Sequence, residues 1–267
     1  MEKKIGFIGL GNMATAIMGG LLAKKMAKPE NVIGYDKFDA AMEKAKANYK
    51  ISTVINEEAV AEAADVLILA VKPNVLSEVL PKIGPVIGKK TIVISIAAGK
   101  TLAFLEGGLG RTDLKVVRCM PNTPALVLEG CTGVCANANV SEKEMKQVLE
   151  LLGAFGKASV VPEKLMDVVV GISGSSPAYV FMFIEALADA AVAAGMPRAQ
   201  AYEFSAQAVL GSAKLLLETG KHPGELTDLV CSPAGTTIQA VKVLEEMGFR
   251  AAVMDAVEAC IEKSKNI

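Results

Sequence analysis

The sequence has a single histidine, His222, among 267 residues, and that scarcity removes most of the chemistry histidine carries. A histidine-rich zinc site cannot be built from one imidazole, and any Ser-His-Asp scheme would have to pass through His222. The five cysteines (Cys119, Cys131, Cys135, Cys231, Cys260) are odd in number and include no CxxC pair. They predict small buried thiols in a reducing compartment, with no disulfide framework and no metal site. Charge of either sign is not in excess: 28 basic groups stand against 29 acidic ones. That balance excludes electrostatic recognition of nucleic acid or an anionic membrane, while 52% apolar and 21% charged residues exclude a disordered chain. The start, Met1-Glu2-Lys3-Lys4 followed by Ile5-Gly6-Phe7-Ile8-Gly9, lacks the apolar stretch and cleavage site of a signal peptide, so a cytoplasmic location is expected. The longest apolar run, Ala178 to Met196, would place Glu185 and Asp189 on one face in lipid, and it reads instead as a buried helix of a soluble protein.

What is present first is alternation. Short β-branched runs at Lys4–Ile8, Val32–Tyr35, Val66–Ala70, Thr91–Ser95, Lys115–Cys119, Gly133–Ala136 and Ala158–Val161 alternate with helical stretches, the mark of βαβ units and a parallel sheet covered on both faces. After Pro162 no strand is predicted. Ala, Leu, Met and Glu at helical spacing predict helices near Glu163–Ile172, Ala178–Ala194, Arg198–Glu218, Glu225–Cys231, Thr236–Glu246 and Phe249–Lys263. We therefore expect an α/β fold, with a doubly wound parallel sheet over residues 1–162 and an all-α domain over 163–267. The helix from Ala178 is apolar nearly all round, and burial between two copies would cover it, which predicts a homodimer.

The first strand runs into Gly9-Leu10-Gly11-Asn12-Met13-Ala14, a GxGxxA turn opening a helix. Gly9 permits the tight turn, Gly11 lets a pyrophosphate approach bare backbone, and Ala14 lets helix and strand pack closely. Free N–H groups of the helix start and its positive dipole end then face the phosphates. Asp36, at the end of the second strand, is placed to bind the adenosine ribose hydroxyls and to repel a 2′-phosphate, which favours NADH over NADPH; Lys37 beside it offsets that repulsion. Val71-Lys72-Pro73, Ser95 to Gly99 and Cys119 to Pro124 also fall at carboxyl ends of strands, where such sheets bind ligands. Arg118 and Lys72 are the basic residues nearest this edge, with plain surface solvation as the alternative for both.

In the helical half, Gly171 to Tyr179 and Leu229 to Ile238 are small, hydroxyl-rich turns opening helices. Ser232-Pro233-Ala234-Gly235-Thr236-Thr237 would offer several N–H groups and hydroxyls to one small anion, most simply a carboxylate; an ordinary helix cap is the alternative.

The string from His222-Pro223-Gly224 through Asp228 and Ser232–Ile238 to Leu244-Glu245 resembles the signature of pyrroline-5-carboxylate reductases. Val71-Lys72-Pro73, Ala97-Ala98-Gly99, Met120-Pro121-Asn122-Thr123-Pro124 and Ser173-Gly174-Ser175-x-Pro177-Ala178-Tyr179 match that family in order and spacing, so the similarity spans essentially the whole chain. The resemblance implies a Rossmann-type domain followed by a helical dimerisation domain, and reduction of 1-pyrroline-5-carboxylate to proline by NADH or NADPH. It implies a cofactor site at Gly9, Gly11, Asn12, Met13, Asp36, Asn56, Val71, Lys72, Pro73, Ala97, Met120, Pro121 and Asn122. It implies a substrate site at Ser175, Ser232, Gly235, Thr236 and Thr237, working largely through backbone N–H groups. Two departures stand out. Val170 replaces a frequent Thr considered as a proton donor, which leaves the catalytic donor unassigned with water as the remaining candidate, and Ser176 replaces a common Gly. A β-hydroxyacid dehydrogenase of the hydroxyisobutyrate type opens with a similar turn but needs a catalytic lysine, for which Lys214 is the candidate. A non-catalytic dinucleotide sensor would need no carboxylate pocket.

Overall fold

The computed structural model describes residues 3–266; Met1, Glu2 and Ile267, included in the readings of the N-terminus and of the domain limits, lie outside the described residues. The first two-thirds of the chain runs β1 (Ile5–Ile8), α1 (Asn12–Ala23), β2 (Val32–Tyr35), α2 (Asp39–Tyr49), β3 (Ser52–Thr53), α3 (Glu57–Ala63), β4 (Val66–Leu69), α4 (Leu76–Ile83), β5 (Ile92–Ser95), α5 (Leu102–Leu109), β6 (Lys115–Met120), β7 (Gly130–Ala136), α6 (Glu142–Leu152) and β8 (Gly156–Val160). These strands form one sheet in the order β3-β2-β1-β4-β5-β6-β7-β8. Every pairing is parallel except β6 with β7, so the expected parallel sheet carries one antiparallel step. The chain leaves β1 toward β2 and returns on its other side with β4, making the β1/β4 gap the switch point at which doubly wound sheets bind ligands.

Alternation along each strand divides the core between two faces. On β4, Val66 and Ile68 join Phe7, Ile17, Leu21, Ile94 and Phe155, while Leu67 and Leu69 join Ile8, Leu76, Leu80, Val93 and Leu105. Strands buried on both sides read as unbroken apolar runs, which is why their positions were legible. β3 was not, because two residues carry no period.

The predicted helix Glu163–Ile172 is three things: a 3-10 turn at Glu163–Leu165, the short α7 (Met166–Val169), and a π-helical turn at Val170–Gly174 closed by the Ser175 amide donating to the Val170 carbonyl. Met166 is buried in the core of the sheet's second face. The compact unit therefore extends from the sheet through Ser175 and regains the chain from Cys260 on. Its last helical turns are tied in by Ser264 Oγ donating to Asp167 Oδ1 and by the Cys260 thiol donating to Ser175 Oγ. The change of composition at Pro162 marks where strands end; packing onto the sheet continues for a dozen residues more.

The second unit, Ser176–Ala259, comprises α8 (Ser176–Ala193), α9 (Arg198–Thr219), α10 (Pro223–Val230), α11 (Thr236–Glu246) and most of α12 (Phe249–Lys265). α8 packs along α9, Arg198 pairs with Asp189, and Phe183 meets Phe249 at 6.0 Å between ring centroids. The expectation of a buried helix from Ala178 does not hold within one chain. Of α8 only Ala188 is buried, and Phe181 and Met182 are 63% and 69% exposed. The stretch Glu163–Ala193 is long and apolar enough to span a bilayer by length and composition, but Asp189 is engaged by Arg198 at the surface of α8.

One ion pair makes this fold sensitive to acid. Glu144 completes a capping box with Ser141 at the start of α6 and pairs with Lys115 of β6. The Lys115 ammonium first, and the Ser141 hydroxyl next, hold its carboxyl down at about 2. A depressed carboxyl contributes stability that is complete above its ordinary value and is lost as pH falls through the folded one. The Tm of the native chain should therefore fall between pH 4.5 and about 2 more steeply than that of Glu144→Gln, which keeps a capping side chain; equal slopes would show that the pair contributes nothing.

Candidate functional site

The carboxyl end of β1 builds the first half of the site. Gly9 sits at φ +92°, and a Cβ there would lie 2.7 Å from the Ala70 carbonyl oxygen, so both conformation and space demand glycine. Its amide donates to the Tyr35 carbonyl, tying the turn to β2. Gly11 is different. It is the N-cap of α1 in ordinary extended backbone, and a Cβ on it would meet no atom of the chain within 4 Å. Neither fold nor packing requires glycine at 11, which leaves close approach of a ligand as the physical reason for it. Asn12 is exposed beside it and Met13 half-buried against the core.

Asp36 stands where the spacing placed it, with an additional task. Its Oδ2 accepts the Leu10 amide at 2.8 Å and its Oδ1 accepts the Phe38 amide at 3.0 Å, so the carboxylate pins the glycine turn to the end of β2. Lys37 does not lean on that carboxylate but lies 5.1 Å from the centre of the Phe38 ring. Asn56 caps α3, its Oδ1 accepting the Ala59 amide at 2.9 Å. Val71, Lys72 and Pro73 follow β4, the carbonyl of exposed Lys72 closing a turn with the Val75 amide. Ala97 is buried beyond β5, its amide directed at Ser95 Oγ.

Met120 and Pro121 end β6 facing the same edge, but the Asn122 side chain turns inward. It is 8% exposed; its Nδ2 donates to the Ser173 carbonyl at 3.1 Å and to Ser173 Oγ at 3.3 Å, and its Oδ1 accepts the Cys131 amide at 2.9 Å. Ser173 Oγ in turn donates to the Cys131 carbonyl. Arg118 follows neither of the two readings open to it, a base at the ligand edge or a solvated surface residue: it is 4% exposed and pairs with Glu163, which accepts the Leu102 amide at the start of α5. The burial rules out a role as a freely solvated base at this edge.

In the second unit, Ser232 to Thr237 forms a turn into α11. Gly235 is the N-cap, and a Cβ on it would come 2.3 Å from Ser232 Oγ; its amide donates to the Ser232 carbonyl. Ala234 occupies the left-handed region at φ +56°, a conformation costing about 1 kcal/mol without glycine and characteristic of backbone held for a purpose. Ser232 and Thr236 are exposed and Thr237 is half-buried.

The starts of α1 and α11 share a geometry. Both N-caps are glycine, at φ −73°, ψ −170° and φ −76°, ψ 173°, and neither makes a side-chain capping bond. α3, α5, α6 and α10 are capped by the side chains of Asn56, Thr101, Ser141 and His222, while α2, α4 and α9 start on Phe38, Val75 and Pro197 without a side-chain cap. A helix begun by glycine keeps its first-turn N–H groups, and about half a unit of positive charge, for an outside anion.

Other chemistries find no support. The lone imidazole is spent on a cap, its Nδ1 accepting the Gly224 amide, and Lys214 is surface-exposed and pairs with Glu218. Among the described residues no cluster of three or more His, Cys, Asp or Glu side chains could hold a metal. The thiols are all free, but the expectation that they are buried holds for Cys119 and Cys135 alone. Burial pushes the Cys119 thiol up and takes Cys135 to about 11, so neither is a nucleophile near neutrality. Two substitutions separate ligand from fold. Gly9→Ala should lower Tm sharply, whereas Gly11→Ala should leave Tm unchanged and weaken dinucleotide binding about tenfold or more; unchanged affinity in a folded Gly11→Ala protein would remove the cofactor reading of the turn.

Comparison with known proteins agrees with this arrangement. Residues 163–267 match the model of the pyrroline-5-carboxylate reductase dimerisation family, and residues 4–99 that of the NADP oxidoreductase coenzyme F420-dependent family. Pyrroline-5-carboxylate reductase of Escherichia coli (strain K12) is 53% identical over 267 residues, covering 100% of this chain and 99% of that protein. The crystal structure of Plasmodium falciparum pyrroline carboxylate reductase with NADP bound superposes with a TM-score of 0.90 at 35% identity, covering 100% of this chain and 98% of that one. The pyrroline-5-carboxylate reductase structure from Coxiella burnetii gives 0.93 at 34% identity, with the same coverage. A Rossmann-type sheet with a glycine-capped first helix, joined to a helical region of the dimerisation type and matched end to end by these relatives, makes the chain a member of the pyrroline-5-carboxylate reductase family of NAD(P)-dependent oxidoreductases.

Proposed function

We propose that this protein reduces 1-pyrroline-5-carboxylate to L-proline with a nicotinamide dinucleotide as hydride source, the last step of proline biosynthesis. The observation that carries the reading is the pair of extended glycine N-caps, at Gly11 and Gly235, in a chain so similar to the E. coli reductase. In this reading the N–H groups of α1 receive the pyrophosphate, with Gly9, Gly11, Asn12 and Met13 forming its cradle. Asp36 and Asn56 lie toward the adenosine ribose, and Val71, Lys72, Pro73, Ala97, Met120 and Pro121 form the remaining wall, which the inward-turned Asn122 side chain braces from behind. The N–H groups of Thr236 and Thr237, with the Ser232, Thr236 and Thr237 hydroxyls, hold the substrate carboxylate, and Ser175 supplies a further hydroxyl; the Gly235 amide serves the turn itself. The bound cofactor supplies the hydride, and the protein's task is distance and face. Val170 offers no proton, so the ring nitrogen takes its proton from water. The functional division falls at 162/163, the nucleotide-binding part before and the substrate-binding and dimerising part after.

We further propose a preference for NADH, homodimer assembly and a cytoplasmic location. Asp36 keeps an open lone pair on each oxygen for ribose hydroxyls, and Lys37, stacked on Phe38, does not neutralise it. The NADP-bound relative makes cofactor choice the more informative measurement. A second copy is supported by the exposed apolar side chains Val180, Phe181 and Met182 on α8 and by the apolar groove of about 500 Å3 between α8 and α9, which Phe183 lines; covering them removes apolar surface from water. Free thiols suit the reducing cytoplasm.

Absorbance of reduced cofactor should fall when NAD(P)H is mixed with pyrroline-5-carboxylate and should not rise when NAD is mixed with hydroxyisobutyrate; a rise in the second mixture with no fall in the first would replace this function. The kcat/KM with NADH should exceed that with NADPH, and the opposite order would end the Asp36 argument. Thr237→Ala should raise KM more than it lowers kcat, whereas a fall in kcat at unchanged KM would deny that the turn only anchors substrate. Phe181→Glu should shift the protein to monomer in sedimentation, while an intact dimer would move the interface elsewhere.

A further inference from the structure

We infer that Asn122 is a positioning residue of the reductase: it locks the proposed cofactor wall to the π-helical turn Val170–Gly174, so that Met120 and Ser175 share one rigid frame. This rests on the proposed function and deepens it. The residues concerned all belong to the first unit.

Three segments meet at this side chain. Asn122 comes from the loop after β6, Cys131 from β7, and Ser173 from the π-helical turn. The amide of Asn122 donates twice to Ser173, to its carbonyl at 3.1 Å and its hydroxyl at 3.3 Å, and accepts the Cys131 N–H at 2.9 Å. Ser173 Oγ passes its own hydrogen to the Cys131 carbonyl at 3.1 Å. The loop closes on itself: each member both gives and takes, and both polar atoms of Asn122 are occupied. Asn122 is 8% exposed, so losing its bonds to Ser173 or Cys131 would leave a buried amide without partners, which holds the tie in place. An uncharged amide is the side chain suited to the place, since it alone among residues of this size donates and accepts side by side.

The tie gains meaning from what lies on either side. Met120, two residues before Asn122, reaches back so that its methyl would lie 2.6 Å from a Cβ on Gly174. Glycine at 174 therefore lets the wall and the turn touch directly. Ser175 follows at once, its amide closing the widened turn onto the Val170 carbonyl at 2.8 Å and its hydroxyl accepting the Cys260 thiol. A π-helical turn is an unstable excursion within a helix and persists where the surroundings hold it. Asn122 is the side chain that grips it from the sheet. The side chain thus fixes two walls without facing either reactant, and a small rotation of the turn would misplace Ser175 against Met120.

Asn122→Asp tests this with minimal change of shape: the carboxylate can still accept the Cys131 N–H but cannot donate to Ser173. With saturating cofactor, kcat should fall about 100-fold, the cost of misplacing reactants by about an ångström. The primary isotope effect with cofactor deuterated at the transferred position should rise as hydride transfer becomes limiting. The dissociation constant of the cofactor should stay within about threefold of native, and hydrogen exchange in residues 170–175 of the cofactor-free protein should quicken. Ser173→Ala, which keeps the carbonyl bond, should show the same pattern more weakly. A native kcat and isotope effect in Asn122→Asp would overturn the inference. So would a loss of rate matched by loss of active sites on titration, which is a plain folding role, or weakened cofactor binding with kcat retained, which would make Asn122 a ligand. Failure of the native protein to turn over pyrroline-5-carboxylate would instead overturn the proposed function, and is read separately.

Discussion

A helix that begins on glycine leaves its first amide hydrogens to something outside the chain, and this protein does so at α1 and α11. Asn56, Thr101, Ser141 and His222 close other helix starts, and α2, α4 and α9 begin on Phe38, Val75 and Pro197 without a side-chain cap, so what sets α1 and α11 apart is glycine at the N-cap, which leaves the bare backbone open to close approach. At both, an amide of the turn is spent within it, Leu10 on Asp36 and Gly235 on the Ser232 carbonyl. The turns are thus fixed by their own hydrogen bonds while the helix ends stay open to an anion.

The remainder of the first unit serves to hold one of these openings still. β1 is central in the sheet between β2 and β4, both faces are sealed by apolar layers, and Gly9 packs so closely on Ala70 that the turn has no room for a side chain there. Ionic and amide ties then brace the rim: Asp36 at the glycine turn, Asn122 at the wall after β6, and the Arg118–Glu163 pair at the start of α5. Buried charges that serve as ties keep no freedom to act as solvated bases, which is why Arg118 leaves the list of candidate ligands although it stands near the right edge. With the one imidazole spent on a helix cap and the buried thiols held protonated, catalysis by placement is what the chain is equipped to do.

The strands of the sheet were legible because burial on both faces makes each a continuous apolar word, and the glycine turn because three residues at fixed spacing answer one geometric need. The strand β7 was legible but its antiparallel direction was not, nor were the two-residue β3 and the π-helical turn, since hydrogen-bond direction and helix pitch leave no trace in composition. α8 was legible as a helix from its length and composition. Its apolarity on all sides signals burial that one chain does not provide, and Phe181 and Met182 face outward. Asp36 and Asn122 follow the ends of β2 and β6, but their hydrogen bonds left no trace in the sequence, because a polar residue at such an edge looks the same whether it faces a ligand or braces the loop behind it. The strain at Ala234 was likewise silent, glycine being the residue that would have announced it.

The central claim, that two glycine-capped helix starts hold two different anions, is tested most directly by a crystal structure of the protein with oxidised cofactor and proline. The account expects the pyrophosphate on the amides of the Gly11–Met13 helix start and the proline carboxylate on those of Thr236 and Thr237. A carboxylate held elsewhere, with the Ser232–Thr237 turn closed off by packing and remote from the nicotinamide ring, would contradict it.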